Sequence, residues 1–384
     1  MLDFFASGIS GPAADWRQVN DVHTVGYRKC LGAPERLKLN VMGITMKKTI
    51  LSVAAMLAIG VGAASAADMP VKAYKKAPPV VAFDPWDIAF GAAIMNDYLF
   101  RGVTQSNHKP SVTAYFEPRY NVTKDLQLYI GSSFESISFT NRAAAEVDIY
   151  GGIRPTFGAF AFDIGVWGYL YPGGQCTESF GGPGGAAVCP AGQPFGVALP
   201  AFNGMKKDVS FFEVYGKVNY TINDNFSVGA NGYYSPNFLN SGADGTYASI
   251  VGKAIAPSAW FGSTGLGMYV SGEFGRQWLG TSDRFYGTNG APAPFPSFPN
   301  GINYADYNTW NIGVGFTYKV FTLDVRYSDT NLSKGDCNAF TSDFTASGTT
   351  NATAINPFGA GSNWCGAAGV VKLSADLTAM TNLK

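Results

Sequence analysis

The sequence is poor in charge and has no long apolar run beyond its first 67 residues. Only 14% of the 384 residues are Asp, Glu, Lys or Arg, whereas a soluble domain carries about a quarter. A membrane helix needs roughly 20 consecutive apolar residues, and no such stretch follows residue 67. These two shortages exclude a helical membrane protein and favour β structure, either a membrane barrel or a glycine-rich soluble β protein.

Histidine and basic residues are also scarce. Beyond residue 66 the chain holds 20 basic and 23 acidic residues, a net charge of −3, and a single histidine, His108. The basic face of a nucleic-acid-binding protein is missing. Nucleophilic catalysis usually relies on a histidine base, and neither a phosphate-binding loop nor a nucleophile elbow occurs. We therefore expect no enzymatic activity, no cofactor and no metal site.

Residues 46–66, MKKTILSVAAMLAIGVGAASA, have the pattern of a secretory signal peptide. Two lysines precede an apolar core from Ile50 to Val61, and Ala64-Ser65-Ala66 fits the small-residue cleavage pattern. We expect cleavage between Ala66 and Ala67. A transmembrane anchor is the alternative, but a polar, proline-rich sequence follows at once.

The sequence leads to different predictions for the segments before and after this signal peptide. A signal peptide opens a chain, so residues 1–45 are expected to derive from an upstream start site. Residues 67–85, ADMPVKAYKKAPPVVAFDP, contain four prolines and three lysines. That composition predicts an extended periplasmic tether, with the membrane domain spanning residues 86–384.

Apolar and polar residues alternate over about ten positions in many segments after Trp86, most clearly in residues 309–328. Successive side chains of a strand point to opposite faces, so one face is apolar and the other polar. A strand of this length and pattern is typical of a membrane-spanning barrel. The apolar parity here comprises Trp310, Ile312, Val314, Phe316, Tyr318, Phe321, Leu323, Val325 and Tyr327.

About twelve strands are predicted, joined alternately by short turns and by long loops rich in Gly, Pro, Ser, Thr and Asn. This asymmetry predicts an all-β fold, a transmembrane antiparallel up-and-down barrel with short periplasmic turns and long extracellular loops. Aromatic girdles are expected at both ends, with Phe100, Phe139, Tyr169, Tyr171, Phe212, Tyr234, Trp278 and Trp310 at the long-loop end. The strands are predicted at 86–103, 111–121, 125–138, 145–156, 159–171, 208–221, 225–235, 246–255, 264–279, 304–319, 321–330 and 369–378.

Nearly all strand charges fall on the polar parity, which would face the lumen. A lysine or arginine facing lipid at mid-depth costs about 2–4 kcal/mol, so this bias supports the barrel. The charges either pair across a largely blocked lumen or line a narrow water path; we favour the narrow path, with mild cation preference. The predicted pore-lining residues are Asp97, Arg101, Glu117, Arg119, Glu135, Glu146, Asp148, Arg154, Asp163, Glu213, Lys217, Glu273, Asp324 and Arg326.

Four cysteines follow the signal, an even number that predicts disulfides in an exported chain. Cys176 and Cys189 fall in one predicted loop, and Cys337 and Cys365 fall in another. The simplest pairing closes each loop on itself, although spacing alone also allows pairs between the loops.

The first strand region, IMNDYLFRGVTQS, resembles the opening segment of the TorF-type porins of proteobacteria. The segment ADMPVKA after the signal is similar to the start of rhizobial-type outer-membrane proteins. The resemblance implies an outer-membrane barrel with a porin role over about residues 86–378. The chain departs from such barrels at its end, where no aromatic residue stands. The matching positions are Asn96, Asp97, Tyr98, Phe100, Arg101, Gly102, Thr104 and Gln105.

Together these patterns predict a passive diffusion channel for small hydrophilic solutes or ions in the outer membrane of a Gram-negative bacterium. Outer-membrane lipid is the expected environment. The first alternative is a non-conducting structural or adhesive barrel that acts through its extracellular loops. The second is a soluble secreted β protein, whose apolar face would need a second sheet to cover it.

Overall fold

The computed structural model describes residues 85–178, 189, 203–288 and 291–383. The predicted N-terminal extension, the signal peptide with its cleavage site, and the tether up to residue 84 lie outside these residues. Within them, twelve antiparallel strands form one sheet. They are β1 (Trp86–Met95), β2 (Ser111–Thr123), β3 (Leu126–Glu135), β4 (Glu146–Phe157), β5 (Phe160–Leu170), β6 (Phe211–Asn223), β7 (Phe226–Ser235), β8 (Gly245–Ile255), β9 (Leu266–Leu279), β10 (Tyr307–Tyr318), β11 (Phe321–Thr330) and β12 (Ala368–Thr378).

The sheet closes on itself. Each strand pairs with its neighbours in sequence, and β1 also pairs with β12, from Ala89 opposite Thr378 to Met95 opposite Lys372. Closure leaves no strand edge with unpaired backbone groups, which is the requirement for a sheet that crosses hydrocarbon. The predicted twelve-stranded, up-and-down antiparallel barrel is thus confirmed.

The connections differ sharply in length between the two ends of the barrel. At one end, the short-turn end, the linking residues are 124–125, 158–159, 224–225, 256–265 and 319–320. At the other, the long-loop end, they are 96–110, 136–145, 171–210, 236–244, 280–306 and 331–367. The predicted alternation is confirmed for four of the five short turns, each of two residues. The fifth, 256–265, has ten residues and was wrongly predicted to be tight, since it is as long as the loop 136–145 at the other end.

Among the described residues the helices are few and short. They are α1 (Lys334–Thr341), α2 (Ala379–Asn382) and the 3-10 turns Phe238–Asn240, Ser258–Phe261 and Arg284–Tyr286. In the described part of the chain, no helix combines the length and the hydropathy of a membrane span.

The outer face is apolar along the strands, as the alternation predicts. On one face of β10, Ile312 is 58% exposed and Phe316 is 44% exposed. Asn311, on the opposite face, points into the barrel and contacts Arg326. Similar outward residues occur on every strand, among them Ile94, Val112, Ile130, Ile149, Ile164, Val214, Val228, Ile250, Phe274, Val325 and Val371. A continuous apolar belt around a barrel is unfavourable in water, because soluble proteins rarely expose large apolar patches. The belt therefore fits a lipid environment.

The aromatic girdle at the long-loop end is only partly as predicted. Phe212, Tyr234 and Trp278 are exposed on the outer face there. Tyr169 and Tyr171, in contrast, are buried inside the barrel, where Tyr169 stacks on the ring of Phe211 at 4.4 Å. The prediction was wrong for these residues, and for Phe139 and Phe100, because the long loops fold inward and pack against them.

We expect Ile312→Arg to destabilise the barrel in lipid bilayers by about 2–4 kcal/mol, because the side chain faces lipid near mid-strand. Tyr318→Arg, on the same face but beside the turn at 319–320, should cost about 0–1 kcal/mol. Urea unfolding in vesicles measures both free energies. Equal costs at the two positions would contradict the placement of a lipid-facing belt.

Candidate functional site in the barrel lumen

The first long loop, residues 96–110, folds into the barrel, and we call it the plug loop. Strand β1 ends at Met95, not at residue 103 as predicted, and two short strands, Leu99–Phe100 and Val103–Thr104, pair within the loop. The turn between them holds Arg101 at φ 49° and Gly102 at φ 78°. A residue with backbone in this left-handed region cannot continue a strand. The alternation of apolar and polar residues does not reveal such a turn.

Asp97 and Arg101 therefore lie on the plug loop and not on the barrel wall. The prediction that they belong to a wall strand spanning residues 86–103 was wrong. The carboxylate of Asp97 is buried and holds the loop together. It accepts hydrogen bonds from Thr104 Oγ1 at 2.5 Å and Ser106 Oγ at 3.0 Å, and contacts His108 Nδ1 at 2.7 Å. A buried carboxylate with three partners fixes the loop conformation.

Arg101 at the tip of the plug loop reaches the far wall of the barrel. Its guanidinium donates to both oxygens of Glu213 on β6, at 2.9 and 2.7 Å, and to Gln277 Oε1 on β9 at 3.0 Å. The ring of Tyr247 on β8 lies 4.5 Å from the guanidinium carbon. Since β1 is five strands from β6 and from β8 in the closed order, the plug loop crosses the lumen.

Gly102 lets the plug loop pack directly against the wall strands β10 and β11. A Cβ at this position would lie 2.3 Å from Thr330 Cγ2 and 2.6 Å from Thr309 Oγ1. Both distances are far shorter than a van der Waals contact, and the positive φ itself disfavours any side chain. Only glycine fits between the tip of the loop and this part of the wall.

The last long loop, residues 331–367, holds the plug loop in place. Thr104 N donates to Trp364 O at 2.9 Å, and Trp364 Nε1 donates to Asn107 Oδ1 at 2.9 Å. His108 Nε2 contacts Asn363 O, also at 2.9 Å. The two loops thus form a single hydrogen-bonded unit over the lumen.

Each disulfide joins two cysteines of the same long loop. Cys337, in α1, pairs with Cys365, next to Trp364, and Cys176 pairs with Cys189. The predicted within-loop pairing is confirmed. The Cys337–Cys365 bond is fully buried and ties the residues that contact the plug loop to α1.

His108 is the titratable link between the two loops. Both of its ring nitrogens face oxygen acceptors, the Asp97 carboxylate and the Asn363 carbonyl. The hydrogen bond to Asp97 raises the pKa of His108 above its ordinary value, because only the doubly protonated imidazolium can donate to both acceptors.

Nearer the short-turn end, lumen charges pair with one another. Glu117 on β2 accepts from Arg119 at 2.6 Å and from Arg154 on β4 at 2.7 Å, and Arg154 also contacts Asp163 on β5 at 3.3 Å. The Arg154 guanidinium carbon lies 3.6 Å from the ring centre of Tyr129. Four of the predicted pore-lining residues therefore form one compact network.

A second network lies on the far side of the barrel. Arg326 donates to Asp324 on its own strand and to Asn311 on β10 at 2.5 Å. Asn311 in turn donates to Glu273 on β9 at 3.3 Å. Within the described residues Lys217 forms no ion pair with an acid, and its ammonium lies 4.7 Å from the ring centre of Tyr215.

The remaining predicted charges, Glu135, Glu146 and Asp148, form a buried acidic cluster at the long-loop end. Their carboxylate oxygens lie within 4.8 Å of one another. All of the predicted pore-lining side chains thus point into the barrel, but they divide into separate groups and do not form continuous rings.

Tyrosines and amides of the lumen were missed by selection on charge alone. Tyr129 donates to Asp163, Tyr247 donates to Glu273 and Tyr269 donates to Asp324. Gln277, which accepts a hydrogen bond from Arg101, is fully buried. Each of these lies on the polar parity of its strand, so a search that admitted every hydrogen-bonding side chain on that parity would have found them.

A cavity that is partly open to solvent lies between the plug loop and the other long loops. Its lining is largely aromatic and aliphatic. The lining includes Phe100, Phe139, Tyr171, Phe211, Phe238, Leu239, Tyr304, Tyr307, Phe340 and Trp364. The space between the long loops is therefore lined mainly by apolar side chains, whereas the lumen nearer the short turns holds the charged networks.

One family model matches part of the sequence. Residues 81–181 match the model of a family described as a bacterial protein of unknown function (Gcw_chp). No curated protein matches the chain. The resemblance to TorF-type porins remains a prediction.

Several solved structures are similar at low scores. The loop-deleted OmpT outer membrane protein of Vibrio cholerae shares 11% identity over 77% of this chain and 100% of its own, with a TM-score of 0.31. A FadL homologue of Pseudomonas aeruginosa shares 12% over 76% and 89%, with a TM-score of 0.35. LpxR of Salmonella typhimurium shares 9% over 75% and 99%, also at 0.35. Likenesses this weak carry no argument about activity.

We predict that the plug loop is held more firmly in acid than in base. Because the pKa of His108 is higher in the folded protein than in the unfolded chain, protonation of the ring stabilises the folded loops. This stabilisation is complete at pH values below the unfolded pKa of about 6.5. This contribution is lost as the pH rises through the higher folded pKa. Hydrogen exchange of plug-loop amides, corrected for intrinsic rates, should show greater protection at about pH 5.5 than at about pH 8.5.

His108→Gln provides the control, because glutamine keeps a polar side chain without a titrating ring. The difference in protection between the two pH values should disappear in this variant. An unchanged difference would show that the pH dependence does not come from the His108 imidazole.

Proposed function

We propose that this protein is a narrow channel of a Gram-negative outer membrane that passes small hydrophilic solutes or ions. The long loops lie on the outer side and the short turns face the periplasm, as expected if residues 46–66 direct export. The closed barrel and its apolar belt support the membrane placement. The plug loop narrows the path near the outer side.

The observation that carries the proposal is the polar, partly accessible lumen on the periplasmic side of the plug loop. Lys217, Asn231 and Glu273 are only half-buried although they point into the barrel. Arg326 keeps 25% of its side chain exposed. A lumen packed as a solid core would bury these groups, so their exposure supports a water path to the plug.

The charges of that path favour cations weakly. Acids outnumber bases among the pore-lining residues by nine to five, but most of the bases are paired with acids. The four acids in excess, Asp97, Glu135, Glu146 and Asp148, are buried at the long-loop end, beside the outer entrance of the path. We therefore propose a mild preference for cations and no binding site for a particular solute.

We also propose that the protein is not an enzyme. Asp97 and His108 are in contact, but Ser106 donates to Asp97 and not to the imidazole. The second ring nitrogen of His108 is held by a backbone carbonyl. This arrangement offers no activated nucleophile, since a catalytic serine must lie within reach of the histidine base.

A second candidate function is a non-conducting barrel that acts through its long loops. The plug loop crosses the full lumen, and the apolar cavity above it suits a small apolar molecule better than a hydrophilic solute. In this case the barrel anchors the disulfide-bonded loops and passes nothing.

Conductance in planar bilayers separates the two candidates. We expect small conductance steps from the wild-type protein. Arg101→Ala should raise the step size at least about twofold, because it removes the side chain that bridges the lumen to Glu213 and Gln277. Reversal potentials in a salt gradient should show mild cation preference.

Arg276→Ala is the matched control, since Arg276 lies on the outer face with Asp306 and away from the lumen. Its conductance should equal that of the wild type. No steps from either the wild type or Arg101→Ala, in protein whose folding is verified by heat modifiability, would reject the channel and favour the loop-based function.

A further inference from the structure

The acidic cluster of Glu135, Glu146 and Asp148 is unusual because it holds three carboxylates without a base. Strands β3 and β4 place them together: Glu135 lies opposite Glu146, and Asp148 lies opposite Ser133. All three are buried, with Glu135 and Asp148 at 0% exposure. Within the described residues, no ion pair involves any of them. Buried charge without compensation is strongly unfavourable.

Two of the three carboxylates are positioned by neutral donors. Glu146 accepts from Tyr98 Oη at 2.6 Å and from Tyr171 Oη at 2.7 Å, one on each oxygen. Asp148 Oδ2 accepts from Ser133 Oγ at 2.8 Å. These contacts fix the directions of both groups and remove none of their charge.

Glu135 is the observation that points to a ligand. Both of its carboxylate oxygens are buried, and neither has a hydrogen-bond partner. Asp148 Oδ1 and Thr113 Oγ1 are buried and unpartnered as well. Thr113 lies directly opposite Glu135 on β2 and on the same inward face, where facing Cβ atoms are about 4.5–5.5 Å apart.

We propose that the acidic cluster binds one Ca²⁺ ion within the barrel wall, beneath the loop at 136–145. Ca²⁺ is a hard cation that takes carboxylate and hydroxyl oxygens at about 2.3–2.6 Å. Two ligands on opposite sides of one ion are thus at most about 5.2 Å apart. The three carboxylates, within 4.8 Å of one another, fit inside that sphere.

The unpartnered oxygens supply the ligands. Glu135 offers two, Asp148 Oδ1 and Thr113 Oγ1 offer one each, and the oxygens of Glu146 keep a free lone pair beside their tyrosine donors. Such a set approaches the six to eight oxygens that Ca²⁺ takes, with water completing the shell. The ion would join β2, β3 and β4 at the long-loop end and would also fix Tyr98 of the plug loop.

Binding is tested with Tb³⁺, which replaces Ca²⁺ and luminesces when nearby tyrosines transfer excitation to it. Tyr98 and Tyr171 both contact the cluster and can transfer excitation to an ion bound there. Loss of the signal in Glu135→Gln assigns it to this site and not to the other tyrosine–carboxylate pairs of the lumen. The full chain is unfolded with a chelator, refolded in detergent and titrated with Tb³⁺. We expect saturable luminescence with one ion per chain, displaced by Ca²⁺, and a higher unfolding temperature with Ca²⁺ than with chelator.

Glu135→Gln keeps the shape of the side chain and removes its charge. We expect at least about tenfold weaker Tb³⁺ binding in this variant. Thr113→Val should weaken binding less, because it removes a neutral ligand and preserves volume. Glu273→Gln is the matched control: Glu273 is a lumen carboxylate outside the cluster, held by Tyr247 and Asn311, and its loss should leave binding unchanged.

The proposal is overturned if folded wild-type protein binds neither Tb³⁺ nor Ca²⁺, or if Glu135→Gln binds as the wild type does. Absence of binding together with stabilisation of the wild type in acid would assign protons, not a cation, to the cluster. The measurement uses no conductance, so its outcome is independent of the proposed channel function.

Discussion

Closure of the backbone hydrogen-bond ladder is the constraint on which this structure depends. Each unpaired N–H or C=O group in hydrocarbon costs several kcal/mol, so the pairing of β1 with β12 is as necessary as any pairing between sequential strands. Once the sheet is closed, every strand has an outside and an inside. The apolar parity then meets lipid, and all remaining polar side chains share one enclosed space.

That enclosed space explains why the lumen is organised as networks. Charges forced to the same side of a twelve-stranded sheet stand close enough to pair, as Arg154 does with Glu117 and Asp163. The plug loop adds a further pair, Arg101 with Glu213, across the full width of the barrel. The acidic cluster is the exception, where three acids share one place with tyrosine and serine donors only.

Prediction from the sequence succeeded where a local pattern carries the physics. Ile312 and Asn311 were assigned to the correct faces, since alternation follows from strand geometry, and all twelve strands were located to within a few residues. The first strand is the exception to that accuracy: it was predicted to reach residue 103 but ends at Met95, and the left-handed turn at Arg101 and Gly102 lies in the segment wrongly included. Prediction also failed for Tyr169 and Tyr171, whose burial depends on loops that arrive from distant parts of the chain.

Local patterns of residue type specify the number of strands, the apolar and polar face of each strand, the end of the barrel that carries the long loops, and which strand residues face inward. Each of these follows from residue type along a short stretch of chain. The three-dimensional fold alone shows that the first long loop crosses the lumen, which charges pair and which stay together without a base. Those features depend on register and on contacts between residues up to hundreds of positions apart, and no local pattern encodes such distances.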